Sequence, residues 1–383
     1  MDPSRRYRVV LHHHARAVRV TVTLHPGQPP HVDIRPPERF ALFPSLGIDD
    51  AYQGGSTPIT ADALYRYVID IDITDDENVD PAVTVLEWLA DNTADSETHR
   101  LEVRNEVVDF LYHGSRLLRA EQVARDTLIA WERVRGMDHP STLRTATQLA
   151  LILNELRRYE EAEEIMRDTV ARQVRVLGPK DPSTLRARTA LANSLRAGVD
   201  ASGGSEIKIT IGGVSRAVRM KLREAESIYR AVLAEVDPTS QRALSIRHQQ
   251  GAVLHHLRRL RRAERVYREL VADLAHLRGE DDSLTWSARL NLAVVLNDRG
   301  KKKQALAAVT DVVAARRRLL GPGHHDTLSA QISLADLYSN QDDDDRAVAL
   351  LAEVIRGYRS MYGPDHPRVR DLEHTMAALR GLR

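Results

Sequence analysis

Cysteine is absent from all 383 residues, which excludes disulfide bonds and thiolate metal ligands. Aromatic residues make up only 4% of the chain, so the core must be built mainly from Leu, Val, Ala and Ile, which suits closely packed helices. No window approaches the roughly 18 consecutive apolar residues of a membrane span, and no apolar leader stretch is present. We therefore expect a cytoplasmic protein that does not contact a membrane.

Lysine is scarce as well, because only six of the 55 basic residues are Lys. This excess of arginine is typical of a GC-rich bacterial genome. The formal net charge is +1, so the chain as a whole gives no electrostatic reason to bind nucleic acid. Locally the balance differs, with a net charge of +4 over residues 1–39 and −12 over residues 49–97.

Motifs for phosphate binding and for nucleophilic catalysis are also missing. The sequence contains neither G-x-x-x-x-G-K-S/T nor G-x-S-x-G. The run His12-His13-His14 favours a surface strand over a metal site, because adjacent strand residues point to opposite faces. The acidic run at residues 70–77 lacks the glycine and glutamate of a calcium loop. We expect no metal, no cofactor and no catalysis, with an enzyme site in the N-terminal region as the alternative.

The sequence does contain a repeat with a period of 42 residues. Residues 136–166 and 178–195 share the pattern G-x-x-x-P-S-T-L-R. Extending their alignment along the chain gives three registers, which are sets of equivalent positions that recur from repeat to repeat. First-helix anchors fall at Leu101, Leu143, Leu185, Leu244, Trp286 and Leu328. Second-helix alanines fall at Ala120, Ala162, Ala225, Ala263, Ala305 and Ala347. Glycines follow at Gly136, Gly178, Gly279, Gly321 and Gly363, with Asp237 in the remaining position. Three registers at one period indicate a helical repeat.

Each repeat is predicted to be a helix hairpin. Leu149 and Leu153 fall at helical spacing on one apolar face, and Ala150 lets the paired helices approach closely. The glycine is predicted to end the second helix in a left-handed conformation. The pairs Ser141-Thr142 and Ser183-Thr184 are predicted to cap the next helix. Such a hairpin is stable only when neighbouring hairpins cover its apolar face.

These motifs resemble the tetratricopeptide family in its longer-period, kinesin-light-chain-like form. The resemblance rests on G-x-x-H/D-P-x-T-L, on Leu-Ala pairs such as Leu149-Ala150, and on Y-x-E-A-E at residues 159–163, and it covers residues 101–379. Gln250-Gly251 and the acidic turn at residues 342–345 depart from the pattern. The resemblance implies a mainly α protein, an α-solenoid in which helix hairpins form a right-handed superhelix with a concave groove.

The N-terminal region differs in kind from the repeats. We predict a small, partly acidic, β-containing module at residues 1–79, with strands at 7–11, 16–24 and 67–73. A helical linker follows at 80–100, including a helix at 81–90 with Pro81 in its first turn. The array of about six repeats is predicted at 101–369, and a capping helix at 370–383.

A segment of 21 extra residues interrupts the third repeat near residues 199–219. Ile207, Ile209 and Ile211 alternate with polar residues, and Gly212-Gly213 follows. This pattern predicts a β-hairpin insertion whose second strand includes residues 214–218, with an unstructured loop as the alternative.

The resemblance also supplies candidate site residues, because first helices line the groove in that family. Some groove positions are apolar: Leu151, Leu290, Val294 and Ile332. The polar groove positions are Asn105, Asp109, Tyr112, Arg144, Thr147, Asn154, Arg186, Asn193, Arg196, His248, His255, Asn297, Asp336 and Asn340. Asn and Arg side chains can hydrogen-bond the backbone and carboxylates of an extended peptide.

We therefore predict a scaffold or adaptor that binds a protein or peptide partner in the groove. The alternative is a ligand- or peptide-responsive bacterial regulator that contacts nucleic acid through arginines at residues 258–268 and 316–318. Glu264 and Glu269 interleave with those arginines and no aromatic stacking platform accompanies the run, which favours a solvated face. Nucleic acid is thus not the expected partner.

Overall fold

The chain divides into two compact units, Met1–Glu206 and Ile207–Arg383. The structure, a computed structural model, describes residues 7–13, 18–25, 28–36, 44–46, 54–71, 76–92, 96–203 and 216–381. Within these ranges the first unit combines a small sheet with helices. The described part of the second unit is helical throughout its regular elements.

The sheet is an antiparallel meander of four strands in the order β1-β2-β3-β4. Its strands are β1 (Tyr7–His13), β2 (Val18–Leu24), β3 (His31–Arg35) and β4 (Thr57–Pro58), and a 3-10 helix follows β3 at Pro44–Leu46. Val20 pairs with Leu11 on one side and with Ile34 on the other, and all three side chains are buried. The strand predicted at 7–11 is confirmed, and the strand predicted at 16–24 is confirmed over residues 18–24, since residues 16 and 17 lie outside the described residues.

The third predicted strand, at residues 67–73, is wrong. Helix α1 occupies Ala61–Ile69, and the Thr60 hydroxyl caps it by accepting a hydrogen bond from the Ala63 amide. Leu64 and Val68 are buried one helical turn apart, with Tyr67 beside them. The alternation seen in the sequence was too short to outweigh this helical spacing.

Helix α2 (Asp76–Asn92) confirms a helix at 81–90, but it begins five residues earlier. Pro81 therefore lies in the second turn and not in the first. The earlier start places Asn78 in the helix, where it is buried against strand β1. Its side-chain amide donates to the His12 carbonyl at 2.7 Å, and its side-chain carbonyl accepts from the His12 amide at 2.8 Å. These bonds continue the hydrogen bonding of the sheet onto the helix.

Within each unit, each of the remaining helices packs against the next helix along the chain. In the first unit they are α3 (Glu97–His113), α4 (Leu117–Arg135), α5 (Pro140–Glu155), α6 (Tyr159–Val176) and α7 (Pro182–Gly203). In the second unit they are α8 (Arg216–Leu233), α9 (Gln241–His256), α10 (Leu260–Arg278), α11 (Ser283–Asp298), α12 (Lys302–Leu320), α13 (His325–Ser339), α14 (Asp344–Tyr362) and α15 (Pro367–Gly381). The predicted registers are confirmed, because the six first-helix anchors are 1–5% exposed and the six alanines are 0% exposed.

The junction between hairpins is more specific than the sequence indicates. Gly136 has φ 81° and ψ 168°, a positive-φ, extended conformation that is essentially restricted to glycine. The predicted Ser-Thr caps are wrong, because Pro140 occupies the first turn and the residue before it is the cap. His139 Nδ1 accepts a hydrogen bond from the Ser141 amide at 3.2 Å. The Thr142 hydroxyl instead donates to the Gly136 carbonyl at 2.8 Å.

The predicted insertion is bordered by longer helices than expected. Helix α7 extends to Gly203 and helix α8 begins at Arg216. Ala217 and Val218 are therefore helical, so the part of the hairpin prediction that placed them in a strand is wrong. The rest of the predicted hairpin, at residues 204–215, lies outside the described residues.

Both departures from the repeat pattern have a structural cause. A Cβ atom on Gly251 would approach the Tyr267 ring to 2.6 Å, so the glycine makes room for a buried tyrosine. In the acidic turn, the Asp343 carboxylate caps α14 by accepting from the Arg346 amide.

Candidate functional site

A cavity of about 610 Å³ opens on the first-helix side of the hairpins in the first unit. Helix α5 contacts α3 and α7, so positions 42 residues apart in sequence come close together here. Arg144 and Arg186 form one such pair, and Ser141 and Ser183 form another. The lining residues are Asp109, Tyr112, His113, Pro140, Ser141, Arg144, Thr147, Gln148, Leu151, Gln173, Leu177, Ser183 and Arg186.

One side of the cavity holds a network of charges. The Arg144 guanidinium lies 2.9 Å from the Asp109 carboxylate and 3.1 Å from Glu106. The Gln148 amide also donates to Asp109. Burial, together with the negative charge of Glu155, raises the pKa of Tyr112, so its phenol is a hydrogen-bond donor at neutral pH.

Arg186 is the unpaired cation of the cavity. Its side chain is exposed and forms no ion pair with any residue in the described part of the chain. Since Arg144 is already neutralised by two carboxylates, Arg186 is the cavity cation that is free to bind an anionic group.

Two buried carbonyl oxygens in the cavity wall have no hydrogen-bond donor among the residues that the structure describes. They are Oε1 of Gln148, which is 9% exposed, and Oε1 of Gln173, which is 2% exposed. A buried acceptor without a partner costs about 1–3 kcal/mol. Both oxygens are closed off from solvent, so a bound molecule can donate hydrogen bonds to them once the glutamine side chains turn toward the cavity.

Five of the polar residues predicted for the groove line this cavity: Asp109, Tyr112, Arg144, Thr147 and Arg186. The apolar groove residue Leu151 lines it as well. Thr147 contributes its methyl group, because its hydroxyl donates to the Leu143 carbonyl. Sequence reasoning missed Gln148 and Gln173, which are largely buried.

The other predicted residues of the first unit lie elsewhere. Asn105 is 2% exposed and accepts a hydrogen bond from the Thr145 hydroxyl at 2.7 Å, so its assignment to an open groove is wrong. The Asn154 amide donates to the Ser194 hydroxyl at 2.7 Å. Asn193 and Arg196 are half-buried on α7.

In the second unit, several predicted groove residues bond to the neighbouring first helix. His248 Nε2 lies 2.8 Å from the Asn291 amide nitrogen, and His255 Nε2 lies 3.0 Å from the Asp298 carboxylate. Asn297 is half-buried, and its Oδ1 has no donor among the described residues. Asp336 and Asn340 are exposed. Of the apolar groove residues here, Val294 is 40% exposed, and Leu290 and Ile332 are half-buried.

The arginine clusters singled out in the sequence are largely ion-paired. Arg258 pairs with Asp298, Arg268 with Glu264, and Arg259 and Arg262 lie 3.7 Å from Glu226. In the second cluster, Arg316 is buried over the Trp286 ring, Arg317 pairs with Glu353, and Arg318 lies 3.8 Å from Asp281.

The metal candidates gain no support from the geometry. No three His, Asp or Glu side chains come together as a metal site in the portion of the chain that is described. His14, Asp72 and Asp75 lie outside that portion. Among the described helices, none is long and apolar enough to cross a membrane.

Comparison with known proteins agrees with the hairpin architecture. Two family models described as tetratricopeptide repeat match residues 142–183 and 284–360. The chain contains tetratricopeptide repeats. The 42-residue step between equivalent buried positions is that of the longer, kinesin-light-chain-like form of the repeat. No curated protein matches the chain.

Two solved structures show the same fold at low sequence identity. Aspartyl phosphate phosphatase F from Bacillus subtilis is 11% identical, with a TM-score of 0.51, and the match covers 79% of this chain and 72% of that one. The apo form of RapI is 12% identical, with a TM-score of 0.50, and the match covers 74% and 92%. The repeats of a putative kinesin light chain from Podospora anserina are 21% identical, with a TM-score of 0.48, covering 59% and 99%. The tetratricopeptide architecture is that of a protein-interaction scaffold.

Proposed function

We propose that the protein binds an extended segment of a partner protein in the cavity of the first unit. The observation that carries this proposal is the pair of buried, donor-free oxygens on Gln148 and Gln173 in the same cavity as the unpaired Arg186. An empty cavity leaves both oxygens unsatisfied, whereas a suitable ligand satisfies them when the two side chains turn toward it.

A peptide supplies the complementary groups. Its backbone N–H groups donate to the two glutamine oxygens, and a backbone carbonyl or a carboxylate accepts from Arg186. Leu151 and Leu177 in the cavity wall give an apolar side chain of the peptide a place to pack. The fixed backbone spacing of a peptide lets one chain make these contacts together.

The test begins by selecting peptides from a random library displayed on phage, with the immobilised full chain as bait. Affinities of the selected peptides are then measured by fluorescence polarisation for the wild type and for Arg186→Gln combined with Gln173→Met. We expect the double variant to bind at least about tenfold more weakly, because a hydrogen bond to a charged group contributes about 1.5–3 kcal/mol.

Arg356→Gln is the matched control for charge, since Arg356 is exposed on α14 and has no ion-pair partner in the described part of the chain. It should bind the peptides like the wild type. Equal affinity of the wild type and the double variant would exclude the cavity as the binding site.

A further inference from the structure

A second surface of the protein is strongly basic. It consists of three segments of the second unit: residues 216–226 at the start of α8, and residues 255–269 and 298–304, which hold the turns before α10 and α12 and the first turns of those helices. We call these three segments the basic edge. They contain 14 Arg and Lys against five Asp and Glu, in a chain whose total net charge is +1.

Ion pairs join the three segments into one continuous surface. Glu226 lies 3.7 Å from Arg259 and Arg262, which ties the first segment to the second. Glu264 ties the second segment to the third, because it pairs with Arg299 and lies 2.8 Å from Lys301. The cations of three successive hairpins therefore lie side by side.

The acidic residues of these pairs are buried beneath the basic ones. The side chains of Glu226 and Glu264 are 6% and 2% exposed, whereas those of Arg262 and Arg268 are each 51% exposed. Desolvation, and the nearby charges of Arg299 and Arg268, lower the pKa of Lys301, which is consistent with crowding of like charges. The surface that faces water is thus more basic than the count of 14 basic and five acidic residues in the sequence indicates.

Five exposed cations of the basic edge have no ion-pair partner within the described residues: Arg216, Arg223, Arg261, Arg265 and Lys303. Three of them, Arg223, Arg261 and Lys303, occupy the same position, two residues before the second-helix alanine, in three successive hairpins. They form a row. In the last hairpin Asp345 takes that position, so the row ends in the acidic turn at residues 342–345.

We propose that the basic edge binds the phosphate backbone of a double-stranded nucleic acid, independently of its base sequence. A row of unpaired cations with outward-facing guanidinium groups matches a regular row of phosphates. The tyrosines of the edge region, Tyr229 and Tyr267, are 0% and 1% exposed, so among the described residues of the edge no tyrosine ring is available to stack on unpaired bases. Backbone contact with a duplex is therefore favoured over capture of a single strand.

The number of free cations sets the expected salt dependence. Five phosphate contacts give a slope of about −4.5 in log affinity against log salt, so raising salt from about 50 to about 200 mM should weaken binding about 500-fold. Removing three of the five contacts lowers the slope to about −1.8, and the same change in salt should then weaken binding only about 12-fold.

The experiment measures binding of the full chain to a fluorescein-labelled DNA duplex of about 20 base pairs by anisotropy across that salt range. The variant Arg223→Gln, Arg261→Gln, Lys303→Gln should bind more weakly and show the smaller slope. These side chains make no ion pairs with described residues, so circular dichroism should report an unchanged melting temperature. The control Arg356→Gln, Arg370→Gln, Arg380→Gln removes three exposed arginines from α14 and α15 and should keep the wild-type slope.

Several outcomes would overturn the proposal. They are no binding at the lowest salt, an equal loss of slope in the control triple variant, and tighter binding of a single strand than of the duplex. Displacement of the duplex by a polyglutamate peptide of equal charge at lower concentration would assign the edge to an acidic protein segment instead.

Discussion

At the scale of single residues, the structure explains why Gly251 replaces the alanine of the repeat. The Tyr267 ring fills the space beside Gly251, and its hydroxyl donates to the His248 carbonyl at 3.2 Å. The equivalent position in another repeat holds Met166, which leaves room for Ala150. The glycine and the tyrosine are therefore a matched pair.

Gly251→Ala should lower the free energy of unfolding by about 1–3 kcal/mol, because the new Cβ would meet a buried ring that cannot move aside freely. Urea unfolding followed by circular dichroism measures this change. The companion substitution Tyr267→Met provides the check. In the Tyr267→Met background, Gly251→Ala should lower the free energy of unfolding much less than it does in the wild type. Simple additivity of the two substitutions would contradict the steric explanation.

At the scale of helices and hairpins, ion pairs connect the second helix of one hairpin with the next hairpin along the chain. Glu264 on α10 forms ion pairs with Arg299 and Lys301, and in the first unit Glu121 on α4 forms an ion pair with Arg158. The glutamates directly follow the second-helix alanines, so the same register that packs the helices also places these charges.

Glu264→Gln should destabilise the protein by about 2–3 kcal/mol, because it keeps the shape of the side chain but removes a buried charge that three cations share. Glu269→Gln, on the same helix but exposed and unpaired in the described structure, should change stability by less than about 0.5 kcal/mol. Thermal or urea unfolding of the two variants compares them directly. Similar losses would mean that the pairs contribute only as surface charges.

His255 makes the stability of its hairpin depend on pH. Burial lowers the pKa of His255, and this effect outweighs the Asp298 carboxylate 3.0 Å away; His256 and Arg258 act in the same direction as burial. Below the unfolded pKa the unfolded chain therefore binds more protons than the folded one. The stabilisation is complete above the unfolded pKa and is lost as pH falls through the lower, folded pKa.

The wild type should consequently lose more stability than His255→Gln between about pH 8 and about pH 5.5, a range that spans the titration of histidine. Urea unfolding at the two pH values gives both differences. An identical loss in wild type and variant would show that His255 does not contribute to the pH dependence.

At the scale of the whole molecule, the repeats were predictable because their signal recurs. Leu101 alone carries little information, but six anchors and six alanines at one spacing define a register, and all twelve are buried. The segment at residues 67–73 had no such repetition. There a short alternation competed with the helical spacing of Leu64 and Val68, and the cap at Thr60 favours the helix.

The candidate site was predictable only in part for the same reason. Arg144 and Arg186 occur at equivalent positions of successive repeats, so the family resemblance pointed to them. Gln148 and Gln173 matter because their buried oxygens lack donors, and that property depends on three-dimensional packing. Likewise, the sequence singled out the arginines at residues 258–268, but their continuity with residues 216–226 and 298–304 became visible only when Glu226 and Glu264 were found buried beneath them.

The glycine junction and the ion pairs to the following hairpin also bear on how such a chain can evolve. Among the described residues, the caps, turns and ion pairs described above are supplied by a hairpin itself or by its immediate neighbour. Duplication or loss of one 42-residue unit within a stack therefore re-creates each of these contacts at the new boundary, whereas an indel of another length inside a helix breaks them. Gene rearrangements that add or remove whole 42-residue units can thus change the number of repeats without requiring a new kind of interface between hairpins.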